Sequence, residues 1–270
     1  MSRVPILMYH QVARRPDPRF RCYSLTPKAF ARQMRWLAAG GYGTITLDDL
    51  LAHKSGGVPL PSKPVIITFD DGFLDAVEWA VPVLRSLGLT ATFFIVAGLI
   101  GKSSRWLEAE LGVEFPLMGW DTVRRLRDAG FQIGSHTVTH PRLAELEEAD
   151  CRSELVESKN LIESQLDEEI RHLAYPYGSF SEDVASMAAE AGYVSACTVK
   201  AGLSGAGEAS HALSRVWVPA RPRETTPEFY LRLHTGVPVQ RRLRDGTRRT
   251  WRRLRRAAAQ PRSKARWGRR

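Results

Sequence analysis

Two short segments carry the residue types that hydrolytic chemistry needs. The first is Thr68-Phe69-Asp70-Asp71-Gly72, and the second is Ser135-His136-Thr137-Val138-Thr139-His140-Pro141. Adjacent carboxylates at the end of an apolar run repel each other and are costly to bury unpaired, and a cation offsets that cost. Two histidines four apart at the end of another apolar run can share one metal ion, with a carboxylate completing the set. Taken alone, Asp-Asp-Gly is equally a turn with a helix cap, and a histidine pair is equally a pair of satisfied polar residues. Together they spell a two-histidine, one-carboxylate centre with coordination positions left for water. The remaining aspartate is then free to act as a base on that water, while a divalent ion acidifies it and polarises a carbonyl.

Such residues need strand ends to hold them. Apolar, β-rich runs recur at Pro5–Tyr9, Thr44–Leu47, Val65–Phe69, Thr90–Val96, Phe131–Ser135, His172–Tyr175, Val194–Thr198 and Ser214–Val218. Several are continuously apolar, as strands buried on both faces are. Helical stretches lie between them. Thr26-Pro27 opens one that ends at Gly40-Gly41; others cover Leu74–Leu87, kinked at Pro82, a segment capped by Asp121 and ending at Gly130, Leu143–Asp167, and Ser181–Ala191. The alternation predicts a parallel sheet, closed into a barrel, with an open doubly wound sheet as the alternative. In either case the site gathers beyond the C-terminal strand ends. Tyr9-His10, Asp70-Asp71-Gly72, His136…His140 and Tyr175-Pro176-Tyr177-Gly178 all fall there.

At these residues the chain resembles the polysaccharide deacetylases, the NodB-homology or family 4 carbohydrate esterases. Thr68–Gly72 and His136–His140 match two signatures of that family in order, and Ala174-Tyr175-Pro176-Tyr177-Gly178 is similar to a third. The opening Pro5-Ile6-Leu7-Met8-Tyr9-His10 resembles a subset acting in exopolysaccharide biosynthesis. The resemblance covers residues 4–235 and implies a distorted, TIM-like (β/α)7 barrel. It implies Asp70 as general base, Asp71, His136 and His140 as metal ligands, and backbone near Tyr177 as oxyanion support. It implies a divalent metal, zinc first, with cobalt, nickel or iron as alternatives. The family's arginine ahead of the third signature is missing, Arg171 being the one arginine nearby, and its C-terminal acid histidine is not evident, since His211 precedes the last strand. His10 is therefore the expected general acid and Arg215 a substitute arginine beside Asp70. The implied reaction is removal of N-acetyl groups from an amino-sugar glycan or lipid-linked saccharide. The alternative is an amidohydrolase of the same fold acting on a non-sugar amide or cyclic imide.

Trp106, Phe115, Trp120 and Trp217 fit either a sugar groove or core packing, and the long segment Gly98–Met118 is placed to cover the site. Cys22, Cys151 and Cys197 are too few for a disulfide framework and read as reduced thiols. The 270 residues carry a formal net charge of +10. That excess sits in residues 241–270, which hold 14 basic residues and one acidic, a net of +13; the rest of the chain holds 25 basic and 28 acidic, a net of −3. The organisation expected is a catalytic domain over 1–240 and a basic tail over 241–270. In the tail, Leu243, Thr247, Trp251 and Leu254 fall at helical spacing, which suits an anionic membrane surface; a solvated extension is the bland alternative, and a nucleic-acid partner is disfavoured by the acidic body. No secretory-type apolar segment opens the chain, so the expected location is cytoplasmic, peripheral at the inner membrane face.

Overall fold

The computed structural model describes residues 3–57, 59–205, 207–218 and 226–236. Its strands are β1 (Ile6–Tyr9), β2 (Gln11–Val12), β3 (Ser24–Leu25), β4 (Gly43–Thr44), β5 (Pro64–Phe69), β6 (Thr92–Ile95), β7 (Gln132–Ser135), β8 (His172–Ala174), β9 (Ser195–Ala201) and β10 (Leu213–Trp217). Its α-helices are α1 (Pro27–Ala39), α2 (Leu47–Lys54), α3 (Leu74–Trp79), α4 (Val81–Ser86), α5 (Arg105–Leu111), α6 (Trp120–Asp128), α7 (Glu148–Leu166), α8 (Glu182–Glu190) and α9 (Thr226–Thr235).

The strands run β1-β10-β9-β8-β7-β6-β5, and β1 also pairs with β5, which closes seven parallel strands into a barrel; β4 adds to the start of β5. This is the distorted (β/α)7 barrel expected. Its first unit is Met1–Gly236. The basic tail, with its Leu/Trp spacing and the 240/241 boundary, lies outside the described residues. No helix among the described residues is long and apolar enough to cross a membrane.

Strand side chains alternate between two buried clusters, as a two-residue period requires. Ile6, Ile66, Phe94, Ala174, Cys197 and Leu213 meet inside the barrel. Leu7, Tyr9, Ile67, Phe69, Phe93 and Val216 belong to the larger cluster shared with the surrounding helices. The register locks this parity across neighbours, with Ile6 opposite Ile66 and Met8 opposite Thr68.

Local signals explain most element ends. The Thr26 hydroxyl accepts from the Ala29 N–H ahead of Pro27, and α1 buries Phe30, Ala31, Met34 and Leu37. Four expectations need correction. The run Thr44–Leu47 is strand only at Gly43–Thr44, because Thr46 and Asp49 form a capping box that starts α2 at Leu47. Leu74–Leu87 is two helices meeting at Ala80, with Pro82 in the first turn of the second. Gly119, not Asp121, is the N-cap of α6; Asp121 sits in the first turn and pairs with Arg124 at 2.8 Å. The acidic helix begins at Glu148, after a separate 3-10 turn at Leu143–Glu145. The segment Gly98–Met118, expected to cover the site, carries α5, packed on a small core of Phe20, Phe73, Leu107, Val113 and Leu117.

Helix α2 closes the N-terminal mouth of the barrel. Leu47 and Leu50 pack into the interior cluster, and Asp48 reaches His172 at the start of β8 and Gln132 at the start of β7. The opposite mouth is left for the site.

Candidate metal centre and active site

Inward parity delivers the functional side chains. His10 continues Ile6 and Met8, Asp70 continues Ile66 and Thr68, His136 follows Gly134, and Arg215 follows Leu213. Asp71 would point outward by the same count. It takes φ 74° and Gly72 φ 75°, and this turn brings its carboxylate back over the barrel. Four of the five non-glycine residues at positive φ among the described residues are at this mouth: Asp71, Thr137, His140 and Tyr177. Backbone strain concentrates where side chains must converge against the local preference.

Asp71 Oδ1 lies 3.4 Å from His136 Nε2 and 3.3 Å from His140 Nε2. One donor atom from each of the three residues lies within 4.8 Å of the others, and all three residues are buried. The His136 Nδ1 is 2.7 Å from the Ala174 carbonyl, which can only accept, so Nδ1 carries the hydrogen. In the neutral ring, Nε2 then offers a lone pair toward a carboxylate oxygen. Two acceptors face each other at contact distance, and only a cation between them makes that favourable. The Nδ1 of His140 is also buried without a hydrogen-bond partner. Two imidazoles and a carboxylate form a donor set suited to zinc and similar divalent ions, so the residues present fit the metal that the sequence implies. Burial opposes ionisation of Asp71, but the imidazoles around it, His136, His140 and His10, override it and hold its pKa well below the usual carboxylate range.

Asp70 is held differently. Arg215 Nη1 and Nη2 donate to its two oxygens at 2.7 Å each, and the same guanidinium donates to the Thr198 carbonyl at 2.8 Å. Burial pushes the Asp70 pKa up; the Arg215 charge, His136 and the Arg215 hydrogen bonds outweigh it and bring it below normal. The His10 Nε2 stands 4.0 Å from Asp70 Oδ2. Burial lowers the His10 pKa in spite of both aspartates, so its ring is neutral near pH 7.

Tyr177 sits on the turn after β8, and its ring meets that of His140 edge-on at 4.6 Å. Gly178 makes this turn possible, since a Cβ there would stand 2.3 Å from Val199. The structure thus brings together Asp70, Asp71, His10, His136, His140, Tyr177 and Arg215. Two residues weighed as substitutes lie elsewhere. Arg171 pairs with Asp48 at the closed mouth, and His211 Nε2 binds the Tyr193 carbonyl at 2.7 Å. Of the aromatics, Trp106 stacks on His140 at 4.4 Å and 19°, whereas Phe115 packs on Phe20 and Phe73.

Sequence reasoning missed three supports. Glu154 on α7 accepts from the Val138 N–H at 2.7 Å, the Thr139 N–H at 3.0 Å and the Thr139 hydroxyl at 2.5 Å, so one carboxylate clamps the loop between the two histidines. From the other side, Gly98 donates to the Val138 carbonyl at 3.0 Å, and a Cβ on Gly98 would come within 2.7 Å of the Val138 side chain. Glu110 on α5 pairs with Arg142 at 3.7 Å, whose guanidinium lies 3.9 Å above the Tyr177 ring. A carboxylate on an acidic helix carries no local mark of such a role.

Comparison with known proteins points the same way. The profile of a family described as polysaccharide deacetylase matches residues 57–196, just over half of the chain. Among curated relatives, YxkH of Bacillus subtilis (strain 168), named for polysaccharide deacetylation, is 29% identical over 217 residues, covering 80% of this chain and 72% of that one. A chitooligosaccharide deacetylase of Sinorhizobium fredii (strain NBRC 101917 / NGR234) is 31% identical over 151 residues, covering 54% of this chain and 60% of its own length. The chain therefore aligns with less than two thirds of that second relative. In overall fold it is similar to the Streptococcus pyogenes deacetylase PplD solved with acetate, with a TM-score of 0.73 at 24% identity over 86% of this chain and 98% of that one.

Proposed function

Because the chain belongs to the polysaccharide deacetylase family, metal-dependent hydrolases that remove N-acetyl groups from sugar polymers, we propose that it releases acetate from an N-acetylated amino-sugar glycan or lipid-linked saccharide. The observation that carries this reading is the convergence of Asp71, His136 and His140 beside an Arg215-held Asp70, with His10 4.0 Å from that carboxylate.

Asp71, His136 and His140 would hold a divalent ion, zinc by the balance of nitrogen and oxygen donors. When bound, that ion supplies Lewis acidity to the acetyl carbonyl and to water. Asp70, ionised at neutral pH, accepts the proton of the attacking water at a carboxylate oxygen. Arg215 fixes both Asp70 oxygens in one plane and keeps the carboxylate charged although it is buried. The His10 Nε2, 4.0 Å from Asp70 Oδ2, is placed to take up that proton and deliver it to the departing amine. Backbone at the Tyr177 turn would donate to the tetrahedral oxyanion. The 3% exposure of Asp70 keeps bulk water from competing for these protons.

The test is acetate release from N-acetylglucosamine oligomers in β-1,4 and β-1,6 linkage, with a non-sugar acetamide alongside, using enzyme stripped of metal and then reloaded. Release from an oligomer that vanishes on stripping and returns with zinc supports the reading. Turnover of the acetamide alone would replace it with a non-sugar amidohydrolase. The basic segment 241–270 is proposed to hold the enzyme on an anionic membrane surface on the cytoplasmic side, where lipid-linked sugars are presented.

A further inference from the structure

The floor of the site is nearly closed. Asp70, Asp71, His136 and His140 are each at most 6% exposed. A polymer cannot lie on such a floor; only a narrow acetamide arm reaches it, and the sugar ring carrying that arm must rest on the rim. His10 is the member of the group that faces the opening, with its side chain 14% exposed.

The rim has two aromatic walls of different character. On the His140 side, Trp106 lies flat on the histidine ring and Arg142 covers the Tyr177 ring, so these faces are occupied. On the His10 side stands Tyr23, from the 3-10 turn Arg21–Tyr23 between β2 and β3. Its ring centre is 5.1 Å from that of His10 and 6.2 Å from that of Trp217, at the end of β10. Its ring contacts with His10, Phe20 and Trp217 are all tilted, between 32° and 58°, and the residue is 39% exposed.

We infer that Tyr23, backed by Trp217, is the platform for the pyranose ring that loses its acetyl group. The inference rests on the deacetylase reading above and names where that substrate sits. If His10 delivers the proton to the departing nitrogen, the sugar bearing that nitrogen lies on the His10 side. The surface available there is a flat, partly exposed aromatic ring, which suits the apolar C–H face of a pyranose. The Tyr23 hydroxyl is a donor or acceptor for ring hydroxyls.

The experiment measures steady-state kinetics of zinc-loaded parent, Tyr23→Ala, Tyr23→Leu and Tyr23→Phe on an N-acetylglucosamine oligomer and on 4-nitrophenyl acetate, which has no sugar ring. The platform requires Tyr23→Ala and Tyr23→Leu to raise KM for the oligomer roughly tenfold, with kcat within about twofold and 4-nitrophenyl acetate hydrolysis unchanged. Tyr23→Phe keeps KM near the parent value. Tyr23→Leu preserves apolar packing if Tyr23→Ala folds poorly, and thermal melting checks both. An unchanged oligomer KM in Tyr23→Leu overturns the platform while leaving the deacetylase reading standing, as does an equal loss on both substrates. A parent enzyme that hydrolyses 4-nitrophenyl acetate but no oligomer overturns the sugar reading itself, and the platform with it.

Discussion

The two mouths of this barrel carry almost the same residue types and do different things with them. At the closed mouth, Asp48 meets His172 at 3.2 Å, Arg171 at 2.8 Å and Gln132 at 2.7 Å, and His172 Nδ1 meets the Ser195 hydroxyl at 2.9 Å. Asp48 there is 42% exposed and accepts from Arg171 and Gln132, while the buried His172 Nε2 beside it has no hydrogen-bond partner. At the open mouth, Asp71 faces two imidazole nitrogens, and the ring nitrogen of His136 that could donate is committed to a backbone carbonyl. A histidine–aspartate contact is therefore structural or functional according to the donors that reach its aspartate and its burial, not its composition. One mouth gives its aspartate protein donors and water, and the other is complete only with a cation.

The sharpest way to break this contrast is to exchange the two histidines' fates. His140→Ala should lose stoichiometric metal and all turnover, whereas His172→Ala should keep metal content and lose only stability; metal analysis after gel filtration separates them. Metal loss in the second variant would erase the distinction. Next in size is Asp70. Asp70→Asn should lower kcat by about 10²–10⁴ with metal content intact. Arg215→Met leaves a buried, unpaired carboxylate and should cost about 3–5 kcal/mol in denaturant unfolding.

Glu154→Gln tests whether the loop between the histidines needs its clamp. Cobalt or zinc affinity should fall by about 10–100-fold with little change in melting temperature, and Glu154→Asp should recover part of it.

Smaller effects come through pH. Asp75 has Oδ1 buried without a partner, and burial raises its pKa to about 7 from 3.8, against hydrogen bonds from Gln11 and backbone. A carboxyl with a raised folded pKa destabilises progressively as pH rises from its unfolded value through its folded one. Asp75→Asn should therefore gain stability over the parent increasingly between pH 4 and 7, with the difference level above that. Asp48 runs the opposite way. The close approach and charge of His172, with the Arg171 charge, outweigh desolvation and lower its pKa. Its contribution is present above pH 4 and is lost as pH falls through the folded pKa, so Asp48→Asn should matter less in acid. Deleting residues 241–270 should leave kcat on soluble oligomers unchanged and abolish sedimentation with anionic vesicles; vesicle binding that survives would remove the tail from that role.

Much of this was readable along the chain. The apolar runs mark the barrel strands, and the polar residues ending them mark the mouth. Parity then predicts which of them face inward: His10, Asp70 and Arg215 each lie an even number of residues from an interior Ile or Leu. Helix α2 was not readable in this way, because Thr46 serves as both the end of a β-branched run and a helix cap, and the capping box with Asp49 wins. Asp121 erred for a related reason: a good capping residue two positions inside a helix pairs with Arg124 instead.

Sequence by itself determined the chemistry on offer, because residue type and strand-end position are local properties. It determined the parallel α/β architecture through the alternation of buried runs with capped helices, and the β1–β5 pairing decided for the barrel over the open sheet. Tertiary structure alone decided which histidine–aspartate contact is left incomplete. It alone set Glu154 against the loop between the histidines, and it gave Arg215, which the sequence offered as a partner for Asp70, its two-pronged grip across 145 residues of chain. The reason is that a group's charge state and spare hydrogen-bonding capacity depend on all neighbours within a few ångströms, and the chain brings most of those from far away.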